Sequence, residues 1–406
     1  MIEISNLRKY VVKGMVRLEA DVTFTDMKSP YKASKMYFEI DAEHADMLAD
    51  DTCDAFVLVP LFMAMYYKQD LHIHGNISKK LYQNVKWYIP KILCDFLDVL
   101  SPVKFTVDGF TQPKPKGNLI GTGISCGVDC LSTIYDHFVL EDDPDYRINA
   151  LFLFSHEPRS HLKDPSGGNV YQNLLKFTEK AAEELGLPYY TLNTNLSVFT
   201  YPIMKKLSVS MSYLAMYSSI LSLSDAICRY YVSSGRTYEE VKNFPTHKDF
   251  EGFCESYFVP LIQNEQIELK VDGCQYRRVD KLKKIADWDI AQKYLNVCVS
   301  WKPNHRDASN CGNCSKCLRT LLPLEILGKL ENFSDVFNIE QYRKISRKYK
   351  IRCLRHYGKN PFETENVDLA RENKFPMPTL PKTAAKKPVT PAAPVAENSA
   401  VSLDKE

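Results

Sequence analysis

Hydrophobic and polar positions divide the chain into stretches with different periods. Over residues 15–25 the alternation is strict, with Val16, Leu18, Ala20, Val22 and Phe24 on one side, which predicts a half-buried strand. Residues 35–40, 71–74 and 102–107 predict further strands, and 53–67 and 78–97 predict helices, the second with Ser78 as its N-cap. Residues 1–109 therefore predict a smaller α+β unit. Beyond a Pro- and Lys-rich linker at 110–116, strands and helices alternate. Strands are predicted at 118–124, 148–154, 189–192, 228–232 and 267–271, and helices at 170–185 and 207–223. The 148–154 run is apolar except for Asn149, as expected of a central parallel strand. Gly186 and Pro188 close the 170–185 helix. Alternation of this kind predicts an α/β fold built on a doubly wound parallel sheet over 117–330, with ligands beyond the carboxyl ends of the strands. A helical extension follows at 331–372. The tail at 373–406 is Pro, Ala, Lys, Thr and Val without period, a disordered composition.

Composition narrows the class. The 406 residues are 45% apolar and 25% charged, the profile of a soluble globular protein, and their length predicts two domains with tails. A net charge of +2 gives no global field toward nucleic acid or membrane, though a local basic face stays open. The N-terminus lacks the apolar core of a signal peptide. The most apolar run, 55–67, contains Pro60 and is too short for a membrane span, which needs about 20 residues. A cytoplasmic protein follows. In that compartment the 12 cysteines are expected as thiols or metal ligands, not disulfides.

The chemistry begins at Gly121-Thr122-Gly123-Ile124-Ser125-Cys126-Gly127-Val128-Asp129-Cys130. A strand ends, small residues turn, and Leu131, Ile134, Tyr135 and Phe138 begin a helical period. Loop N–H groups and a positive helix end then converge on one anion, usually phosphate. Neither a Gly-Lys-Ser/Thr nor a Gly-x-Gly-x-x-Gly sequence is present. Ser125-Cys126-Gly127-Val128-Asp129-Cys130 resembles the Ser-Gly-Gly-x-Asp-Ser loop of the PP-loop ATP pyrophosphatases, with Cys126 and Cys130 as departures. That resemblance implies a HUP-like domain that binds ATP through Gly123, Ser125, Cys126, Gly127, Val128, Asp129 and Cys130. Ser125 and Asp129 are the expected catalytic residues, with Asp129 holding Mg²⁺ or the loop. The two cysteines read as small-residue replacements, with a nucleophilic thiolate at the helix N-terminus as the alternative.

A second feature is Cys311-Gly312-Asn313-Cys314-Ser315-Lys316-Cys317. Three thiols at three-residue intervals can wrap one tetrahedral ion. Cys298 is the natural fourth ligand and His305 the alternative. Zinc is favoured over an iron–sulfur cluster, because Leu318-Arg319-Thr320-Leu321 follows where a ferredoxin run supplies a further cysteine. His72 and His74 also share a strand face, but no third ligand is evident nearby, and they read as ordinary residues of a half-exposed strand.

Together the opening loop and the closing Asn310–Thr320 motif resemble QueC-type 7-cyano-7-deazaguanine synthases, as do Gly273 to Arg278, Lys281 and Ile285-Ala286. The likeness covers roughly 117–328, leaving out the N-terminal unit and the tail, so it is to a QueC-like paralogue. It implies a ligase that uses ATP, Mg²⁺ and Zn²⁺, forms AMP and pyrophosphate, and adenylates the carboxylate of a deazapurine or of another small-molecule acceptor. Two alternatives stand beside it. One is a component of an operon-encoded anti-phage complex that modifies a partner protein or nucleic acid. The other is a sulfur-transfer or tRNA-modifying PP-loop enzyme. The loop 155–161, with His156, Glu157, Arg159 and His161, is a substrate candidate by position alone.

Overall fold

The computed structural model describes residues 1–155, 170–207, 212–243, 250–298 and 310–380. Its strands are β1 (Ile2–Val12), β2 (Met15–Phe24), β3 (Lys35–Asp41), β4 (Leu71–Ile77), β5 (Phe105–Phe110), β6 (Leu119–Gly123), β7 (Ala150–Ser155), β8 (Tyr189–Thr194), β9 (Ile227–Ser233) and β10 (Glu268–Asp272). They form a single sheet in the order β10-β9-β6-β7-β8-β3-β2-β1-β4-β5. The five strands from β10 to β8 are mutually parallel. The β8–β3, β3–β2 and β2–β1 pairs are antiparallel, and β4 and β5 return parallel to β1. The fold is therefore mixed α/β on a mostly parallel sheet.

The parallel half is covered on both faces. Ala150, Phe152, Tyr230 and Val232 enter one apolar core, and their neighbours Leu151 and Tyr231 enter another with Ile120 and Leu131. That placement accounts for the unbroken apolar run of β7. In β2 the alternate residues Val16, Leu18, Ala20 and Val22 are buried, as their period predicts. The first core runs on without a break from Ile2 and Phe38 to Tyr230 and Leu269, across the stretch that reads as a linker. Lys114 in that stretch pairs with Asp51 at 2.6 Å and with Asp225, and its carbonyl accepts from Gln266 at 2.8 Å.

The join between the two halves is β3 against β8, with Phe38 opposite Thr194 and Ile40 opposite Leu192. Buried Asn195 reinforces it. Its side chain accepts from the Tyr37 N–H at 3.0 Å and donates to the Lys35 carbonyl at 2.8 Å.

Several expectations change. β1 has no clean alternation because Asn6 takes a positive φ of 54° and the register slips between Ser5 and Arg8. The predicted helix over 78–97 is two helices, Lys79–Trp87 and Ile89–Phe96, broken at Tyr88 because Pro90 has no N–H to donate to Lys86. Ser78 does precede the first of them, but its hydroxyl is buried and makes no capping bond. The C-terminal helical stretch resolves into Ser315–Ile326, Ile339–Arg355 and Pro361–Glu372. The tail from 381 onward, residues 208–211 of the 207–223 helix, and residues 156–161 lie outside the described residues.

Candidate functional site

The loop after β6 is held from three sides. The Ile124 N–H donates to the Phe152 carbonyl at 2.9 Å, and the Ser125 N–H donates weakly to the Cys130 sulfur at 3.4 Å. The Asn296 N–H donates to the Cys126 carbonyl at 2.7 Å. Cys126 is fully buried with φ of 56°, the left-handed region that favours glycine. Glycine is the residue of the Ser-Gly-Gly-x-Asp-Ser pattern at this place, so the backbone here is one that the pattern's own residue adopts freely. Gly127 then caps the helix Val128–Ile134, which continues into a wider π-turn over Tyr135–Leu140. Among the described residues the N–H groups of Val128, Asp129 and Cys130 meet no backbone or side-chain acceptor, as is usual in the first turn of a helix.

Both loop thiols are pushed up in pKa. Burial raises Cys126 well above an ordinary thiol, and burial also raises Cys130 in spite of the N–H groups around it. That opposes the thiolate reading and suits the packing one.

Asp129 is the hub of the charges. Its two oxygens accept from Arg278 at 2.9 Å and Lys281 at 3.0 Å, both on the helix Arg278–Ile285. Lys281 is buried and also donates to the Ser234 carbonyl at 2.6 Å. Burial acts to raise the Asp129 carboxyl, but the Arg278 and Lys281 charges outweigh it and hold the group below the usual carboxylate range. Two more cations approach from the helix Ser315–Ile326. Burial and then the Arg278 charge bring Arg319 down to about 10. Desolvation, then the Arg319 and Arg278 charges, lower the Lys316 amine although the residue stays exposed. Arg319 lies 4.1 Å over the Phe362 ring. The Nε atoms of Arg278 and Arg319 are buried with no hydrogen-bond partner among the described residues. Arg278 and Lys281 thus share the Asp129 carboxylate, and Lys316 and Arg319 stand near enough to feel its charge and that of Arg278. An uncompensated, partly desolvated positive cluster beside a loop of open N–H groups is suited to a multiply charged anion.

A cavity of about 340 Å³ opens beside the loop, beyond the carboxyl ends of β6, β7 and β9. Ser125, Cys130, Tyr213 and Glu255 line it, together with Phe154 and Tyr230, whose rings stack 6.0 Å apart.

The four cysteines converge. Sulfur separations are 4.0 Å for Cys298–Cys314, 3.8 Å for Cys311–Cys317 and 3.5 Å for Cys314–Cys317, and all four lie within 4.8 Å of one another. Tetrahedral thiolates at about 2.3 Å from zinc stand about 3.8 Å apart, so the set fits Zn²⁺. His305, the alternative ligand, lies outside the described residues. Gly312 makes the tight turn, since a Cβ there would stand 2.2 Å from the Asn338 carbonyl. Asn310 is buried and ties the pieces together. It accepts from the N–H groups of Val297 and Cys298, and donates to the carbonyls of Leu295 and Val336. The cysteine centre therefore braces the segment whose Asn296 N–H supports the loop, and starts the helix that carries Lys316 and Arg319.

No family model, curated protein or solved structure matches this chain.

Sequence reasoning singled out the loop and the cysteines, but named Arg278, Lys281, Lys316 and Arg319 only within the resembling segments and gave them no role. A signal was there: both pairs stand at i, i+3, which places two cations on one helix face.

Proposed function

We propose that the chain is a QueC-like, ATP-dependent carbon–nitrogen ligase that forms AMP and pyrophosphate while adenylating an acceptor carboxylate. The observation that carries this reading is the cation cluster of Arg278, Lys281, Lys316 and Arg319 around Asp129, beside the Ser125–Cys130 loop. In the reaction an acceptor carboxylate oxygen attacks the α-phosphorus of ATP. The bond from that phosphorus to the bridging oxygen breaks, and pyrophosphate leaves with the charge. Ammonia or another nucleophile then displaces AMP to give the amide. The leaving group needs charge stabilisation most, and loop N–H groups with Lys316 and Arg319 supply it. Asp129 has both oxygens engaged by cations, which favours a role in holding the loop and the clamp over one in binding Mg²⁺; the metal would arrive with the nucleotide. Ser125 and the aromatic cavity would face the acceptor. Zn²⁺ on four thiolates has no open position and supplies cross-linking, not chemistry.

The test is nucleotide product analysis with pure protein, Mg-ATP, ammonium and a deazapurine carboxylate. AMP and pyrophosphate in equal amounts are expected. ADP and phosphate would overturn the reading.

One further observation favours a nucleic-acid acceptor, as in the tRNA-modifying alternative. The helix Ile339–Arg355 carries seven Lys or Arg residues against Glu340 alone. Four of the seven have carboxylate partners, whereas Arg347, Lys348 and Arg355 have none among the described residues. They line a groove of about 880 Å³ that reaches Asn313 beside the cysteine centre. Fluorescence anisotropy with a structured RNA checks this. Binding that weakens with salt and is lost in Arg347→Glu/Lys348→Glu supports it; salt-independent or absent binding removes it.

A further inference from the structure

The sheet edge far from the loop brings together three groups that the sequence keeps apart. His72 and His74 alternate on β4, so both imidazoles stand on the face opposite buried Leu71, Ile73 and Ile77. β5 lies parallel to β4, with His72 opposite Thr106. Two residues further on, Asp108 comes up on the same face. The missing third ligand is therefore supplied by the adjacent strand, 34 residues or more away in sequence.

The three groups already stand close together, with His72 and Asp108 in hydrogen-bond contact. The two rings stand 4.2 Å apart and nearly perpendicular, at 78°. His72 Nε2 is 3.0 Å from one Asp108 oxygen and His74 Nδ1 is 3.8 Å from the other. One ligand atom from each of the three lies within 4.8 Å of the others. Imidazole and carboxylate ligands about 2.0–2.2 Å from a tetrahedral zinc stand about 3.3 Å apart, so closure needs only small side-chain rotations. Thr106 Oγ1 holds His72 Nδ1 at 2.7 Å, fixing the ring and leaving Nε2 as the nitrogen that faces Asp108. Glu3 on β1 stands opposite His72 in register, a further carboxylate on the same face.

We propose that His72, His74 and Asp108 form a second metal site, distinct from the cysteine centre, for a borderline divalent cation such as Zn²⁺, Ni²⁺ or Cu²⁺. The class follows from the donors: two imidazoles and a carboxylate suit such ions, whereas a hard cation such as Mg²⁺ or Ca²⁺ wants an oxygen shell. Three protein ligands leave at least one coordination position open to water or an external donor at the edge of the sheet. The site does not depend on the ligase reading.

Equilibrium dialysis of the full chain against micromolar Zn²⁺ at pH 7.5, with bound metal measured by mass spectrometry, tests it. The wild type is expected to bind one more equivalent than His72→Ala/His74→Ala, whatever the cysteine centre holds. Asp108→Asn keeps the shape and removes the charge, and is expected to weaken the extra equivalent at least tenfold. Cu²⁺ added to the zinc-loaded protein is expected to give a nitrogen-coordinated paramagnetic spectrum that the double variant lacks. Equal stoichiometry in wild type and double variant, with both folded by circular dichroism, would overturn the proposal. So would an Asp108→Asn protein that binds as tightly as wild type.

Discussion

Asp129 shows how one residue's chemistry depends on partners 149 and 152 positions away, Arg278 and Lys281. Its carboxyl is held below the usual range, so the folded state favours the ionised form. The stability this contributes is fully present above the ordinary carboxylate pKa of about 4 and is lost as pH falls through the lower folded value. Asp129→Asn removes the charge and leaves two cations facing each other. It is expected to cost on the order of 3 kcal/mol at pH 7, and less at a pH acid enough for the folded wild-type carboxyl to be losing the same charge. Urea melts at the two pH values check this; an equal cost at both would contradict it. Legibility at this scale was uneven. Ser125, Gly127 and Asp129 could be picked from a local string, because a strand, a turn and a helix follow each other directly. Arg278, Lys281, Lys316 and Arg319 could not be assigned a role, since cations on amphipathic helices are common and only the tertiary fold brings them to the Asp129 carboxylate and its surroundings. Asp108 failed for the same reason: a ligand on a neighbouring strand carries no spacing in the sequence.

At the scale of elements, the cysteine knuckle and the loop form one mechanical unit. Cys298 and Asn296 are two residues apart, one in the sulfur cluster and one bonded to the Cys126 carbonyl. Lys316 and Arg319 lie on the helix that begins after Cys314. Removing zinc with a strong chelator should therefore lower both thermal stability and nucleotide affinity, and restoring zinc should recover both. A chelated protein that melts earlier but binds nucleotide unchanged would separate the two. Gly312→Ala should mimic chelation in part, because its Cβ meets the Asn338 carbonyl at 2.2 Å and its φ is +71°. The elements themselves were mostly readable. β2 and β7 carried clear patterns, one alternating and one almost wholly apolar, because one strand faces a core on one side and the other on both. β1 was not readable: a left-handed Asn6 and a register slip break its alternation.

Over the whole molecule, composition at 110–116 reads as a linker, while the sheet runs through from β10 to β5. Local sequence shows where turns fall, but not that β3 pairs with β8 some 155 residues later. The seam depends on Asn195, whose amide serves a backbone N–H and a carbonyl of the opposite half. Asn195→Ala leaves both unpaired and is expected to cost about 2 kcal/mol. With one core crossing the seam, scanning calorimetry of the wild type should show the two halves unfolding together. Two resolved transitions would mean that they are energetically separate.

The central claim is that the Ser125–Cys130 loop and its four cations bind the phosphates of ATP. Isothermal titration with the magnesium complex of a non-hydrolysable ATP analogue tests it most directly. Micromolar binding is expected, competed by pyrophosphate and weakened at least tenfold in both Lys316→Ala and Arg319→Ala, with the protein still folded. No heat at millimolar analogue, or an affinity that neither substitution changes, would contradict it.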